Sequence, residues 1–180
     1  VDGKPVILYT GVDFPPPDQP REWRQVVCMA MGSDDLVNWT KFSGNPVIGA
    51  PPPDLHVTGF RDPCFWKDGD TWYMLIGGGI TGQGATAFLY RSADFRSWEY
   101  VHPFGSDSPD VTNNYWECPD FFALGDRHVL LTSKMSPQLW NGSTDSCRTL
   151  MSTFYSVGTY RNQQFDVESR GNTDAGGHFY

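Results

Sequence analysis

No stretch of ten residues in this chain carries a clean helical period. Short apolar runs recur instead: Pro5 to Tyr9, Trp72 to Ile76, His128 to Leu131 and Phe154 to Thr159. They are rich in Val, Ile, Leu, Tyr and Phe, and most are bounded by Gly, Asp, Asn or Ser, which is how strands between turns read. Gly (19) and Pro (14) make up roughly 18% of the 180 residues, where about 12% is usual. Both interrupt helices. The expected fold class is all-β. Pro15 to Pro17 and Pro51 to Pro53 read as stiff extended loops, and Ser136 to Asp145 as a polar loop. Gly77-Gly78-Gly79 has no helical pattern or Lys after it, so it reads as a strand-end turn and no phosphate loop.

Within these strands runs a weak internal repeat. Ser33-Asp34-Asp35-Leu36-Val37-Asn38-Trp39 resembles Ser92-Ala93-Asp94-Phe95-Arg96-Ser97-Trp98: Ser-x-Asp, an apolar residue, two more residues, then Trp. Asp62-Pro63-Cys64-Phe65-Trp66 pairs with Glu117-Cys118-Pro119-Asp120-Phe121-Phe122, each an acidic residue opening an aromatic strand. Repeats about 55 to 60 residues apart suit a four-stranded propeller blade with generous loops. The alternative is a sandwich whose core positions happen to carry Trp. At this period the chain holds about three blades, while propellers close with four to eight. An open arc would leave unpaired strand edges. The chain also starts at Val1 with a strand close behind, and stops inside the aromatic segment Gly176 to Tyr180. It therefore reads as part of a longer chain.

Composition narrows the function. A net charge of -8 repels phosphates and argues against nucleic acid. No apolar run approaches the roughly 20 residues of a membrane span. Aromatics at 15% and charged residues at 19% are unlike a disordered chain. Cys28, Cys64, Cys118 and Cys147 lack zinc-type spacing. The first three lie in strand-like text, where a buried thiol is the ordinary case. His56, His102, His128 and His178 are scattered, so no metal or other cofactor is expected. Two N-x-Ser/Thr sequons, at Asn38 and Asn141, are compatible with a secretory origin, Asn141 being the more accessible.

Two acidic segments carry the chemistry. In Gly59-Phe60-Arg61-Asp62-Pro63 an Arg adjoins an Asp at a strand entrance, and Pro63 biases Asp62 toward an extended backbone. In Trp116-Glu117-Cys118-Pro119-Asp120 a Glu sits between an aromatic ring and a thiol. A carboxyl so placed is desolvated, which raises its pKa and suits a general acid. The plainer reading is that Glu117 pairs with a cation and caps a turn. Equivalent positions on neighbouring blades point at one central channel, and two carboxylates converging among aromatics is a glycosidase layout. Trp23, Trp66 and Trp72 read as packing residues, whereas Trp116 adjoins the site.

Phe60-Arg61-Asp62-Pro63 resembles the Arg-Asp-Pro motif of glycoside hydrolase family 32, and Trp116-Glu117-Cys118-Pro119-Asp120-Phe121 resembles that family's Trp-Glu-Cys-Pro/Val-Asp-Phe motif. Ile7 to Gly11, Phe88 to Ser92 with Ala93 to Phe95 and Trp98, Tyr155 to Tyr160 and Gly177 to Tyr180 are similar to further strands, in order. The resemblance implies about three blades of a five-bladed β-propeller, residues 1–180 being a partial catalytic domain. The start of the first blade, the closing blade and a following β-sandwich would lie outside it. It implies a retaining enzyme acting on β-fructofuranosyl groups of sucrose or fructans. By motif, Asp62 matches the transition-state stabiliser and Glu117 the acid/base, with Arg61, Trp116 and Asp120 binding substrate. Pro119 leans toward the secreted, cell-wall type, with the vacuole as runner-up. Lys134 resembles a residue that helps engage the glucose of sucrose.

The family's nucleophile lies in a Trp-Met-Asn-Asp-Pro-Asn-like motif that nothing here matches; Asp2, Asp13 and Asp18 lack those neighbours. It is expected upstream of Val1. Alternatives are an inverting propeller glycosidase acting on arabinan or xylan, and a carbohydrate-binding propeller without catalysis. A purified polypeptide of residues 1–180 alone is expected to release no fructose from sucrose; release well above a no-enzyme blank would overturn this.

Overall fold

The computed structural model describes residues 1–14, 18, 24–106, 114–135 and 152–173. The loops at Pro15 to Pro17 and Ser136 to Asp145, with Trp23, Asn141, Cys147 and Gly176 to Tyr180, lie outside the described residues. Among the described residues every regular element is a strand, in three antiparallel sheets. Sheet A comprises β1 (Val6–Asp13), β2 (Arg24–Gly32) and β3 (Trp39–Lys41). Sheet B runs in order through β4 (Val57–Asp68), β5 (Thr71–Ile80), β6 (Gly84–Ser92) and β7 (Glu99–Ser106). Sheet C does likewise with β8 (Tyr115–Leu124), β9 (Arg127–Met135), β10 (Ser152–Arg161) and β11 (Gln164–Asn172). Each of the four expected apolar runs lies within a strand or begins one residue before it. Pro53 and Asp54 form a turn, with Leu55 N–H donating to Pro52 O, where an extended loop is expected.

The Ser-x-Asp repeat is a structural one. It forms the turn from β2 to β3 in sheet A and from β6 to β7 in sheet B. In the first, Ser33 Oγ donates to Asp35 Oδ1, which also accepts Val37 N–H at 2.9 Å. In the second, Asp94 Oδ1 accepts from Ser92 Oγ, Arg96 N–H and Ser97 N–H. The Ser97 and Arg96 amides hold the Asp94 carboxyl down at about 2. The apolar residue of each motif takes a left-handed backbone, Leu36 at φ 61 and Phe95 at φ 64. This shared turn aligns β2 with β6 and β3 with β7. Asn38, the described sequon, is exposed in the first turn.

Sheet B lies between the other two, and the alternation of its strands shows it. Met74, Ile76, Phe88 and Tyr90 pack with Val27, Ile48 and Phe60 on one side. Tyr73, Leu75, Ala87, Leu89 and Phe104 pack with Trp116, Phe121 and Leu130 on the other. A strand covered on both faces is apolar throughout, as Trp72 to Ile76 is. A two-layer sandwich leaves each sheet one open face; the middle sheet here has none. Trp66 stacks on Tyr73, and Trp72 meets Phe95 edge-on. The thiols are less enclosed than expected: Cys28 and Cys64 are half-buried and Cys118 is exposed.

Gly77-Gly78-Gly79 is not a strand-end turn. It continues β5, paired to both β4 and β6. A Cβ on Gly77 would lie 2.5 Å from Trp116 O, one on Gly78 would strike Gly59 O, and one on Gly79 would strike Asn114 O. The glycines admit the backbones of the neighbouring strands, which is a second reason for glycine inside a strand. Gly77→Ala is accordingly expected to destabilise the fold by about 1–3 kcal/mol, read as a lowered urea midpoint. Gly49→Ala, whose Cβ would meet only Pro46 Cγ at 3.6 Å, should leave the midpoint unchanged.

Candidate active site

The site is built from two matching irregularities. In β4 the pairing with β5 passes from Arg61–Gly77 to Cys64–Leu75, so Asp62 and Pro63 together oppose Ile76. In β8 the pairing with β9 passes from Glu117–Ser133 to Asp120–Leu131, so Cys118 and Pro119 oppose Thr132. Each is a bulge, with two residues facing one, and each carries a Pro that has no ladder donor to lose. The residue before each Pro is left-handed: Asp62 at φ 59 and Cys118 at φ 47. The extended backbone expected for Asp62 from Pro63 is therefore overturned. The bulge turns its N–H out of the ladder, and Asp tolerates this region better than most residues. Such a conformation costs roughly 1–3 kcal/mol and persists where its surroundings determine it.

These bulges put Arg61 opposite Glu117, Asp62 opposite Cys118 and Cys64 opposite Asp120, each pair 56 residues apart. Arg61 Nη1 donates to Glu117 Oε1 at 2.8 Å. The Glu117 side chain is 4% exposed and that of Arg61 22%, so the pair is largely withdrawn from water. Cys118 N–H donates to Asp62 Oδ2 at 3.0 Å, with the Cys118 thiol 3.7 Å from the same oxygen. The Cys64 thiol lies 3.7 Å from Asp120 Oδ1, and burial, with that carboxylate beside it, pushes it up to about 11. Desolvation of Glu117 and its pairing with a cation, alternatives at the sequence level, are both present. So is a refinement: the blade equivalent of Glu117 is Arg61, and that of Asp62 is Cys118.

The remaining residues frame this cluster. Trp116 is buried at 5% exposure in the core between sheets B and C, beside Gly105 and Leu130. Asp120 is exposed. Sequence reasoning passed over three neighbours. Tyr115 lies under the Arg61 guanidinium, 5.2 Å from ring centroid to Cζ. Its phenol is raised by burial and by the charges of Glu117 and Asp62, against the opposing pull of Arg61. Thr10 and Gln25, from sheet A, accept the N–H groups of Asp62 and Phe60, each at 2.8 Å. A cavity of about 600 Å³ opens here, lined by Gln25, Pro51, Gly59, Phe60, Arg61 and Tyr115 among others. Among the described residues no group of three or more His, Cys, Asp or Glu is placed to hold a metal.

A comparison with protein families matches residues 1–180 to the N-terminal domain of the glycosyl hydrolases family 32. The chain belongs to glycosyl hydrolase family 32. Its family relatives include the sucrose-6-phosphate hydrolase of Zymomonas mobilis, 33% identical over 93% of this chain and 33% of that protein. The fructan 1-exohydrolase of Leymus chinensis is 41% identical over 68% of this chain and 20% of that protein. Among solved structures, the family 32 β-fructofuranosidase of Bombyx mori in complex with sucrose superposes with a TM-score of 0.72. It is 32% identical over 91% of this chain and 34% of that one. The chain thus spans about a third or less of the length of the relatives it matches.

In this family 32 chain the Arg61–Glu117 ion pair is largely buried, so breaking it from one side is costly. Arg61→Met would remove the guanidinium that bonds the buried Glu117 carboxylate at Oε1. Breaking a buried pair in this way costs about 3–5 kcal/mol. The expected outcome is a large drop in unfolding midpoint at pH 7, with a much smaller drop for Arg61→Met/Glu117→Gln together.

Proposed function

We propose that this chain forms part of a retaining β-fructofuranosidase that releases terminal β-D-fructofuranosyl units from sucrose or fructans. One observation carries the reading: the two motif carboxylates, Asp62 and Glu117, are held on adjacent bulged strands of sheets B and C in a family 32 chain. Glu117 protonates the glycosidic oxygen as the bond to the fructosyl anomeric carbon breaks, and afterwards takes a proton from the attacking water. Asp62 holds fructosyl hydroxyls, with bonds that strengthen as the ring becomes oxocarbenium-like. Arg61 anchors Glu117 and adds positive charge beside Asp62. Trp116 supports Glu117 from the core side, and Asp120 closes the bulge at the solvent side. The covalent fructosyl intermediate of a retaining enzyme needs a third carboxylate as nucleophile, supplied in the family by a motif with no counterpart in this sequence.

The relatives support both substrate classes. The Bombyx mori structure holds sucrose, the Zymomonas mobilis relative is a sucrose-6-phosphate hydrolase, and the Leymus chinensis relative is a fructan 1-exohydrolase. Pro119 supports a secreted protein of the cell-wall type. The whole protein that carries this chain provides the test. Glu117→Gln is expected to lower kcat for sucrose by roughly a hundredfold or more, with KM far less changed. A wild-type kcat in this variant would sink the acid/base assignment.

A further inference from the structure

Asp62 is held in an uncommon conformation, and the groups that hold it come from both neighbouring sheets. Its N–H, released from the β4–β5 ladder by the bulge, donates to Thr10 Oγ1 on β1 at 2.8 Å. Its Oδ2 accepts Cys118 N–H on β8 at 3.0 Å. One bond fixes the peptide and the other the carboxylate. Phe60 N–H, at a second register shift of β4, donates likewise to Gln25 Oε1 on β2. Sheet A thus supplies side-chain acceptors for two irregular amides of the strand that carries Asp62.

The competing conformation is the extended one that a following Pro favours. In it the Asp62 N–H turns away from sheet A and the carboxylate rotates with the peptide. A half-buried amide gains by keeping a partner, so an acceptor at the right place selects the left-handed form. The Thr10 hydroxyl is such an acceptor, carried on a β-branched side chain with few rotamers.

We propose that Thr10 is a positioning residue for Asp62: its hydroxyl selects the left-handed peptide that aims the carboxylate, and so governs fructosyl transfer without touching substrate. This rests on the reading of Asp62 as stabiliser. Misplacement of a site group by about 1 Å can cost on the order of a hundredfold in rate.

The test uses the whole protein, with fructose release from sucrose and the unfolding midpoint as readouts. Thr10→Val, which keeps the shape and removes the acceptor, is expected to lower kcat roughly ten- to a hundredfold. KM and the unfolding midpoint move much less, and Thr10→Ser recovers most of the rate. Thr10→Ala carries the same expectation if the Val variant does not fold. Asp62→Asn is assayed beside them. Loss of activity in Asp62→Asn with wild-type kcat in Thr10→Val overturns the Thr10 proposal alone. Equal loss in Thr10→Ser and Thr10→Val also overturns it, since the hydroxyl would then not be the cause. Wild-type kcat in Asp62→Asn overturns the stabiliser reading and the proposal together.

Discussion

The approach of backbone to backbone at Gly77, Gly78 and Gly79 is the constraint on which the rest of the site depends. With no side chain between them, the carbonyls of Trp116 and Asn114 lie against one face of β5 and that of Gly59 against the other. This seats β8 beside β4 closely enough for Arg61 to bond Glu117 at 2.8 Å and for Cys118 N–H to reach Asp62. Side chains of ordinary size here would push sheet C outward, and each of these contacts would lengthen. The same seating buries Trp116, Phe121 and Leu130 against Leu75, Leu89 and Phe104, so the apolar core and the polar cluster depend on one geometry.

Within that geometry the two bulges do the local work. A regular strand alternates its side chains and offers every amide to its neighbour. A bulge breaks both habits at one point, re-aiming a side chain and freeing N–H groups. In β4 the freed amides are taken by Thr10 and Gln25; in β8 the Cys118 amide is taken by Asp62 itself. The three sheets are thus coupled through Asp62: sheet A holds its peptide, sheet B carries it, and sheet C holds its carboxylate. The left-handed backbone at Asp62 and Cys118 persists because contacts on both sides determine it.

Charge is arranged with similar economy. The chain carries a net charge of -8, yet at the site a cation is bonded to a buried carboxylate. Arg61 bonds Glu117 and rests on the Tyr115 ring. A guanidinium suits this post because it stays charged and its planar face can lie on an aromatic. A buried carboxylate such as Glu117 is costly in isolation, and the bond from Arg61 offsets that cost.

Much of this was legible in the residues. Short apolar runs between Gly, Pro and Asp dictate strands, because no helix survives that punctuation. The Ser-x-Asp turns announce the repeat, because their side chains bond the local backbone wherever they occur. Arg61-Asp62-Pro63 and Glu117-Cys118-Pro119-Asp120 mark the family and the carboxylates. Three features were not legible, and each depends on partners far along the chain. The glycine run read as a turn because its neighbours, Asn114 and Trp116, are distant in sequence. Asp62 read as extended because Pro63 is adjacent and Thr10 is not. Trp116 read as a site aromatic because it adjoins Glu117 in sequence, whereas alternation along β8 turns its ring into the core. The sequence by itself determined the strands, most of the turns and the two motif segments that carry Asp62 and Glu117, because strands and turns follow from local backbone and side-chain chemistry and motifs from residue order. Tertiary structure alone decided the register of the bulges and the pairing of Arg61 with Glu117. Those depend on how closely separate strands can approach, and that is set by packing across sheets.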